Sequence, residues 1–219
     1  MKAGYVISVQ ILVRFPSRRQ WDPFNQSSGQ YRCVECFGGF ILCKSCIVTQ
    51  HTFNPFHRIQ VHRTYFGCNS PLTHAQEWTG TFFRKYSLQR AGQRVQLGHP
   101  PGDACTSPQR STRPFTVLHA NGMHLVDIWF CGCNLAAHHG DRVQQLLRRR
   151  IFPATTTDPQ TGSTFALLDF AHILSVQSKL SLWDFYISVE ALTDATRVSD
   201  VKVCFRCYHP PLPIFSNVC

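Results

Sequence analysis

Apolar and polar positions alternate most cleanly between residues 115 and 130. Phe115-Thr116-Val117-Leu118-His119 and Met123-His124-Leu125-Val126-Asp127-Ile128-Trp129-Phe130 flank Asn121-Gly122, a dipeptide suited to positive φ angles. The pattern predicts a β-hairpin with Asn121-Gly122 at its turn. Its second strand runs directly into Cys131-Gly132-Cys133. Farther on, the period changes to that of helices. Asp141 to Arg150 reads as a helix with an acid at its start and Arg148, Arg149 and Arg150 in its last turn, both suited to the helix dipole. Phe152-Pro153 ends it, a loop follows at 154–163, and two amphipathic helices are predicted at about 164–177 and 179–193. Upstream, Trp78 to Arg94 reads as a short basic helix with Phe82, Phe83, Tyr86 and Leu88 on its apolar side. Residues 1–30 suggest a strand-like start and a polar loop; 100–103 and 106–114 read as loops. The fold class expected is α+β.

Charge narrows the partners. Lys and Arg number 22 against 12 Asp and Glu, a formal net charge of +10, which favours polyanions and nucleic acid above all. The eleven cysteines offer disulfides or metal. Ala3 to Val13 is apolar but interrupted by Ser8 and Gln10, and Phe15-Pro16-Ser17-Arg18-Arg19 follows without a small-residue cleavage site. No stretch approaches the roughly 18 apolar residues of a membrane helix. An intracellular protein holding structural zinc, with no membrane partner, is therefore expected.

The densest ligand cluster is Cys33-x2-Cys36-x6-Cys43-x2-Cys46-x4-His51-x5-His57. A Cys-x2-Cys knuckle presents two thiolates to one ion from a tight turn, and two spaced histidines can complete a tetrahedron. The order is similar to the latter half of a ZZ-type, cross-brace-like finger. That likeness implies that Cys33, Cys36, His51 and His57 share one zinc. Cys43 and Cys46 would then need Cys68, a nearby histidine such as His62, or an upstream pair that has been lost; loss is the reading favoured. A second set, His99, Cys105, Cys131 and Cys133, would be gathered by the hairpin and leave no open position on the ion. Cys204-x2-Cys207-x-His209 has no second pair, and it and Cys219 read as free thiols.

The ordered series of short motifs then becomes specific. Cys-x2-Cys, Leu42-Cys43-x2-Cys46, Pro55-Phe56-His57-Arg58-Ile59, Leu97-Gly98-His99, Asn121-Gly122-Met123-His124, Phe130-Cys131-Gly132-Cys133, Gln144-Gln145-Leu146-Leu147 and Phe152-Pro153-Ala154-Thr155 resemble the CxC-type cysteine cluster domain associated with KDZ transposases. The resemblance spans about 31–195, divided as a zinc finger at 31–68, a hairpin with the second zinc site at 95–133 and a helical part at 141–195. Residues 1–30 form an atypical lead-in and 196–219 a divergent tail, and both ends read as truncated. The resemblance implies zinc binding, a nuclear location, an origin in fungal mobile elements, and a role in DNA contact or assembly beside a separate catalytic domain.

No catalytic centre is expected in this chain. Asp169, Asp184, Glu190 and Asp194 lie on or beside amphipathic helices and read as solvent-facing charges, and the best-placed cysteines are paired as ligands. No small-molecule substrate is expected either. For DNA, the candidates are Arg84, Lys85, Arg90 and Arg94 on the first helix, and Arg142, Arg148, Arg149 and Arg150 on the later one. The competing readings are a zinc-dependent module that binds another protein, including the transposase catalytic domain, and a non-functional transposon remnant.

Overall fold

The computed structural model describes residues 30–61, 76–78, 83–100, 103–133 and 140–193, with backbone alone at 76–78 and 83–85. The chain is α+β, with helices and sheets around two Cys/His clusters. Three short strands, β1 (Tyr31–Cys33), β2 (Ile41–Leu42) and β3 (Ile59–Val61), form an antiparallel sheet in the order β2-β1-β3. Helix α1 (Lys44–Gln50) packs Ile47 against Cys33, Ile59, Leu88 and Ala91. This small core explains a departure from expectation. Among the described residues the basic helix predicted at Trp78–Arg94 does not form: β4 (Gln76–Trp78) pairs with β5 (Phe83–Lys85), a turn follows, and β6 (Arg94–Gln96) joins the main sheet. Leu88 and Ala91 face the finger and Gln93 bonds the His51 carbonyl, so tertiary contacts override the helical spacing.

The main sheet is built around β8 (Phe115–His119) and β9 (Gly122–Cys131), the predicted hairpin. Its turn sits one residue earlier than expected. His119 pairs with Gly122, so Ala120 and Asn121 form the loop. The Asn121 amide is committed elsewhere, its nitrogen donating to the Phe56 carbonyl at 2.9 Å and its oxygen accepting from His124 Nε2 at 2.7 Å. Strand β7 (Pro108–Arg110) pairs with the end of β9, and β11 (Thr161–Thr164) runs parallel to β8, with β10 (Ile151–Pro153) outside it. Both β7 and β11 fall in stretches that read as loops, being short and polar; pairing alone makes them strands.

Alternation along β9 sends Val126, Ile128 and Phe130 into a core with Leu97, Phe115, Val117, Leu146 and Ile151. The opposite face of the hairpin places Leu118 and Met123 under helices α3 (Phe165–Ser178) and α4 (Leu182–Thr193), which bring Leu167, Ala171, Phe185, Tyr186 and Val189. The third helix of this region, α2 (Arg142–Arg148), is capped by Asp141, whose carboxylate accepts the Gln144 N–H at 2.8 Å, as its position in the sequence suggests. Thr164 caps α3 in the same way. No helix among the described residues is long and apolar enough to cross a membrane.

Gly122 holds φ at +134°, and a methyl group there would lie 2.9 Å from Thr193 Oγ1, the acceptor of the Met123 N–H. Gly122→Ala should therefore lose about 1–3 kcal/mol, the cost of a side chain in a sparsely populated backbone region. Urea unfolding of the metal-loaded protein measures it. A loss below about 0.5 kcal/mol, the level of ordinary surface substitutions, would show that the turn relaxes freely.

Candidate metal centres

Cys33 ends β1, and Cys36 follows in the turn that its own N–H closes by donating to Cys33 Sγ at 3.3 Å. Opposite this knuckle, α1 ends at His51, which is fully buried. Nδ1 of His51 bonds the Ile47 carbonyl at 2.7 Å, so this nitrogen carries the proton and Nε2 faces the thiols. His57 arrives from the loop before β3 and presents Nδ1. The distances are 3.3 Å from Cys36 Sγ to His51 Nε2, 3.4 Å from Cys36 Sγ to His57 Nδ1, and 3.5 Å from Cys33 Sγ to His57 Nδ1. Ligands of a tetrahedral ion with zinc-like bond lengths stand about 3.4–3.8 Å apart. The four residues fit one ion.

The second group is assembled by the main sheet. Cys131 is the last residue of β9, and Cys133 follows two residues later. Cys105 approaches from the loop before β7 and His99 from the segment after β6. Cys131 Sγ lies 3.1 Å from Cys133 Sγ, 3.6 Å from Cys105 Sγ and 3.2 Å from His99 Nε2, and Cys133 Sγ lies 3.8 Å from the same nitrogen. All sulfur separations far exceed the roughly 2.05 Å of a disulfide, and the seven described cysteines are free thiols. Gly98 makes the approach feasible: it holds φ at +77°, and a Cβ there would collide with the Cys131 Cβ.

The electrostatics of both groups suit a cation. Desolvation, reinforced by the hydrogen bond with Cys33 and the nearby Cys33 and Glu35 charges, pushes Cys36 up to about 11. Desolvation and the side-chain hydrogen bond with Cys133 do the same to Cys131, also to about 11. Desolvation raises Cys105 too, but hydrogen bonds from Ser107, Cys131, His99 and Gly132 outweigh it and bring that thiol to about 7. Desolvation raises Cys33 as well, but hydrogen bonds from His51 and Cys36 outweigh it and lower that thiol, so each cluster pairs a thiol that ionises readily with one that resists. His51 is raised chiefly by its hydrogen bond with Cys33, and His57 is lowered by desolvation and by the His51 charge.

Cys43 and Cys46 stand apart from both groups of four. They form a knuckle of their own at the start of α1, where Cys43 Sγ accepts the Cys46 N–H at 3.3 Å and lies 3.1 Å from Ser45 Oγ. Those bonds, Ser45 first, lower Cys43 to about 7. The partners considered for this pair, Cys68 and His62, lie outside the described residues, as do Cys204, Cys207, His209 and Cys219.

The candidate nucleic-acid residues do not share one helix. Arg84 and Lys85 belong to β5, Arg90 to a turn and Arg94 to β6, where its guanidinium lies 5.0 Å above the Trp129 ring. Arg142 pairs with Asp158 at 2.5 Å and covers Phe130; Arg149 donates to the His99 carbonyl; Arg150 lies over Phe165. Arg148 ends α2 and is exposed.

Several supporting residues escaped sequence reasoning. Glu35 receives the Arg58 backbone N–H at 2.6 Å and the Arg58 guanidinium at 2.5 Å, tying the Cys36 turn to the His57 loop. Asn121 donates to Glu35 as well as to Phe56, and Phe56 packs beside His119 and His124, so this junction docks the finger on the hairpin. Only the position of Glu35 between two ligands hinted at this. A junction made across many tens of residues has no local signature.

Comparison with curated proteins and with solved structures finds no match. A family model does match, over residues 88–197: the CxC2-like cysteine cluster associated with KDZ transposases. The matched span takes in the second ligand group, the main sheet and helices α2, α3 and α4, whereas the first group lies upstream of it, so the match begins later than the resemblance read from residue 31. With half of its length in that match, the chain belongs to the CxC2-like cysteine cluster family associated with KDZ transposases.

Proposed function

We propose that the chain is a zinc-stabilised accessory module of a KDZ-type transposase, working in the nucleus by contacting nucleic acid through charge rather than by bond chemistry. The observation that carries this reading is the pair of four-ligand groups at tetrahedral spacing. Mixed thiolate and imidazole donors in that geometry suit Zn²⁺, which has no directional preference of its own to violate. Four protein ligands leave no position for an activated water, so each ion would be structural. The acidic residues support a non-catalytic role: Asp169 and Asp184 are exposed on α3 and α4, and Asp184 is held by Ser181.

The net charge of +10 supports nucleic acid as partner. Binding of a labelled DNA duplex by the metal-loaded protein should weaken steeply with salt. Three phosphate contacts predict roughly a 40-fold loss of affinity between 50 and 200 mM salt. Fluorescence anisotropy measures it, and an affinity flat across that range would sink the electrostatic reading. One feature favours a second role, docking of another protein. Phe170, Ile173 and Val176, spaced three apart on α3, are all exposed. Metal-loaded protein that ignores DNA at both salt concentrations moves the function to that reading.

A further inference from the structure

We infer that Gln145 is the positioning residue of the second metal centre, its carboxamide standing in for a strand peptide so that His99 is released to act as a ligand. The inference rests on the metal reading above. Strand β6 runs parallel to β9 as far as Leu97, whose N–H donates to the Trp129 carbonyl at 2.7 Å. Continued pairing would set the Cys131 N–H on the Leu97 carbonyl and the His99 N–H on the Cys131 carbonyl, the regular parallel ladder. Neither bond forms. The chain turns away at Gly98, and the Leu97 carbonyl takes the Gln96 side chain at 2.9 Å instead.

On its other side, β9 pairs with β7 through the Gly132 N–H and the Ser107 carbonyl, so the Cys131 peptide groups point toward the vacated β6 side. Left there, a buried N–H and C=O would go without partners. Gln145, only 2% exposed on α2, fills both roles. Its Oε1 accepts the Cys131 N–H at 2.8 Å, and its Nε2 donates to the Cys131 carbonyl at 3.1 Å and to the Gly140 carbonyl at 3.0 Å. One helical turn later, Arg149 donates to the His99 carbonyl. A single face of α2 thereby grips both segments that carry ligands, Cys131 through Gln145 and His99 through Arg149.

The first centre, which Gln145 does not touch, supplies an internal control. Co²⁺ titration of the full chain, followed by Zn²⁺ displacement, reads the two centres separately, because three thiolates and two thiolates give charge-transfer bands of different intensity. Gln145→Met, similar in volume but without the amide, should weaken the second centre about 10–100-fold, the usual cost of removing an orienting partner, and leave the first unchanged. Gln145→Glu keeps the acceptor for the Cys131 N–H and should fall between Met and wild type. It also guards against simple misfolding of the Met variant. Equal affinity of the second centre in all three proteins, or equal weakening of both centres, would overturn the role of Gln145. Wild-type protein that takes up no Co²⁺ at all would instead overturn the metal reading itself.

Discussion

Chelation should release about two Zn²⁺ per chain, one for each closed ligand group, and should unfold the protein. The apparent binding free energy of a structural zinc site is about 10–16 kcal/mol near neutral pH. The whole stability of an ordinary domain is about 5–15 kcal/mol. The finger depends on metal most. Its apolar core comprises Cys33, Ile47, Ile59, Leu88 and Ala91, with two of its strands only three residues long and one only two. Without an ion, the fully buried imidazole of His51 faces thiols that cannot all ionise.

Loading has a proton signature with a definite sign. Cys36 and Cys131, each pushed up to about 11, are protonated at neutral pH in the metal-free protein, and a metal binds the thiolate. Zinc uptake must expel both protons, so a weakly buffered solution acidifies on loading and the metal leaves as pH falls. Elemental analysis and circular dichroism before and after chelation read the first effect, and a pH indicator reads the second. Unchanged melting after complete metal removal would refute the structural role.

The second large effect is expected at Phe130. This ring is 1% exposed at the centre of the core formed by Leu97, Phe115, Ile128 and Leu146, with the Arg142 guanidinium 5.2 Å from its centroid. Phe130→Ala removes buried apolar surface and leaves a cavity, at a cost of about 3–5 kcal/mol. Ile128→Val, on the same strand face, should cost only about 0.5–1.5 kcal/mol. Because Phe130 precedes Cys131, the larger substitution should also loosen the second centre. Urea unfolding at saturating zinc compares the two variants. A loss below about 1 kcal/mol for Phe130→Ala would mean that the core closes around the gap.

Much of the candidate chemistry was legible in the residues themselves. Cysteine knuckles and spaced histidines are local patterns, and both groups of four consist of residues that spacing alone had marked. The β8–β9 hairpin was legible because alternation over many positions repeats one instruction, and the α2 boundary because Asp141 caps it locally. Strands β7 and β11 were not, since Pro108–Arg110 and Thr161–Thr164 have no apolar periodicity and are strands only through their neighbours. The helix expected at Trp78–Arg94 gave way for the same reason, Tyr86, Leu88 and Ala91 being claimed by the finger core.

Sequence by itself therefore marked the eight residues that gather into the two groups of four, the α+β character of the chain and the strand that delivers Cys131. Tertiary structure alone decided that Asn121 docks the finger on the hairpin and that a glutamine on α2 completes the ladder where β6 departs. The physical reason is range. Ligand spacing and alternation are encoded within a few residues, whereas hydrogen bonds that satisfy buried peptide groups are settled by whichever distant side chain the packed fold brings within reach.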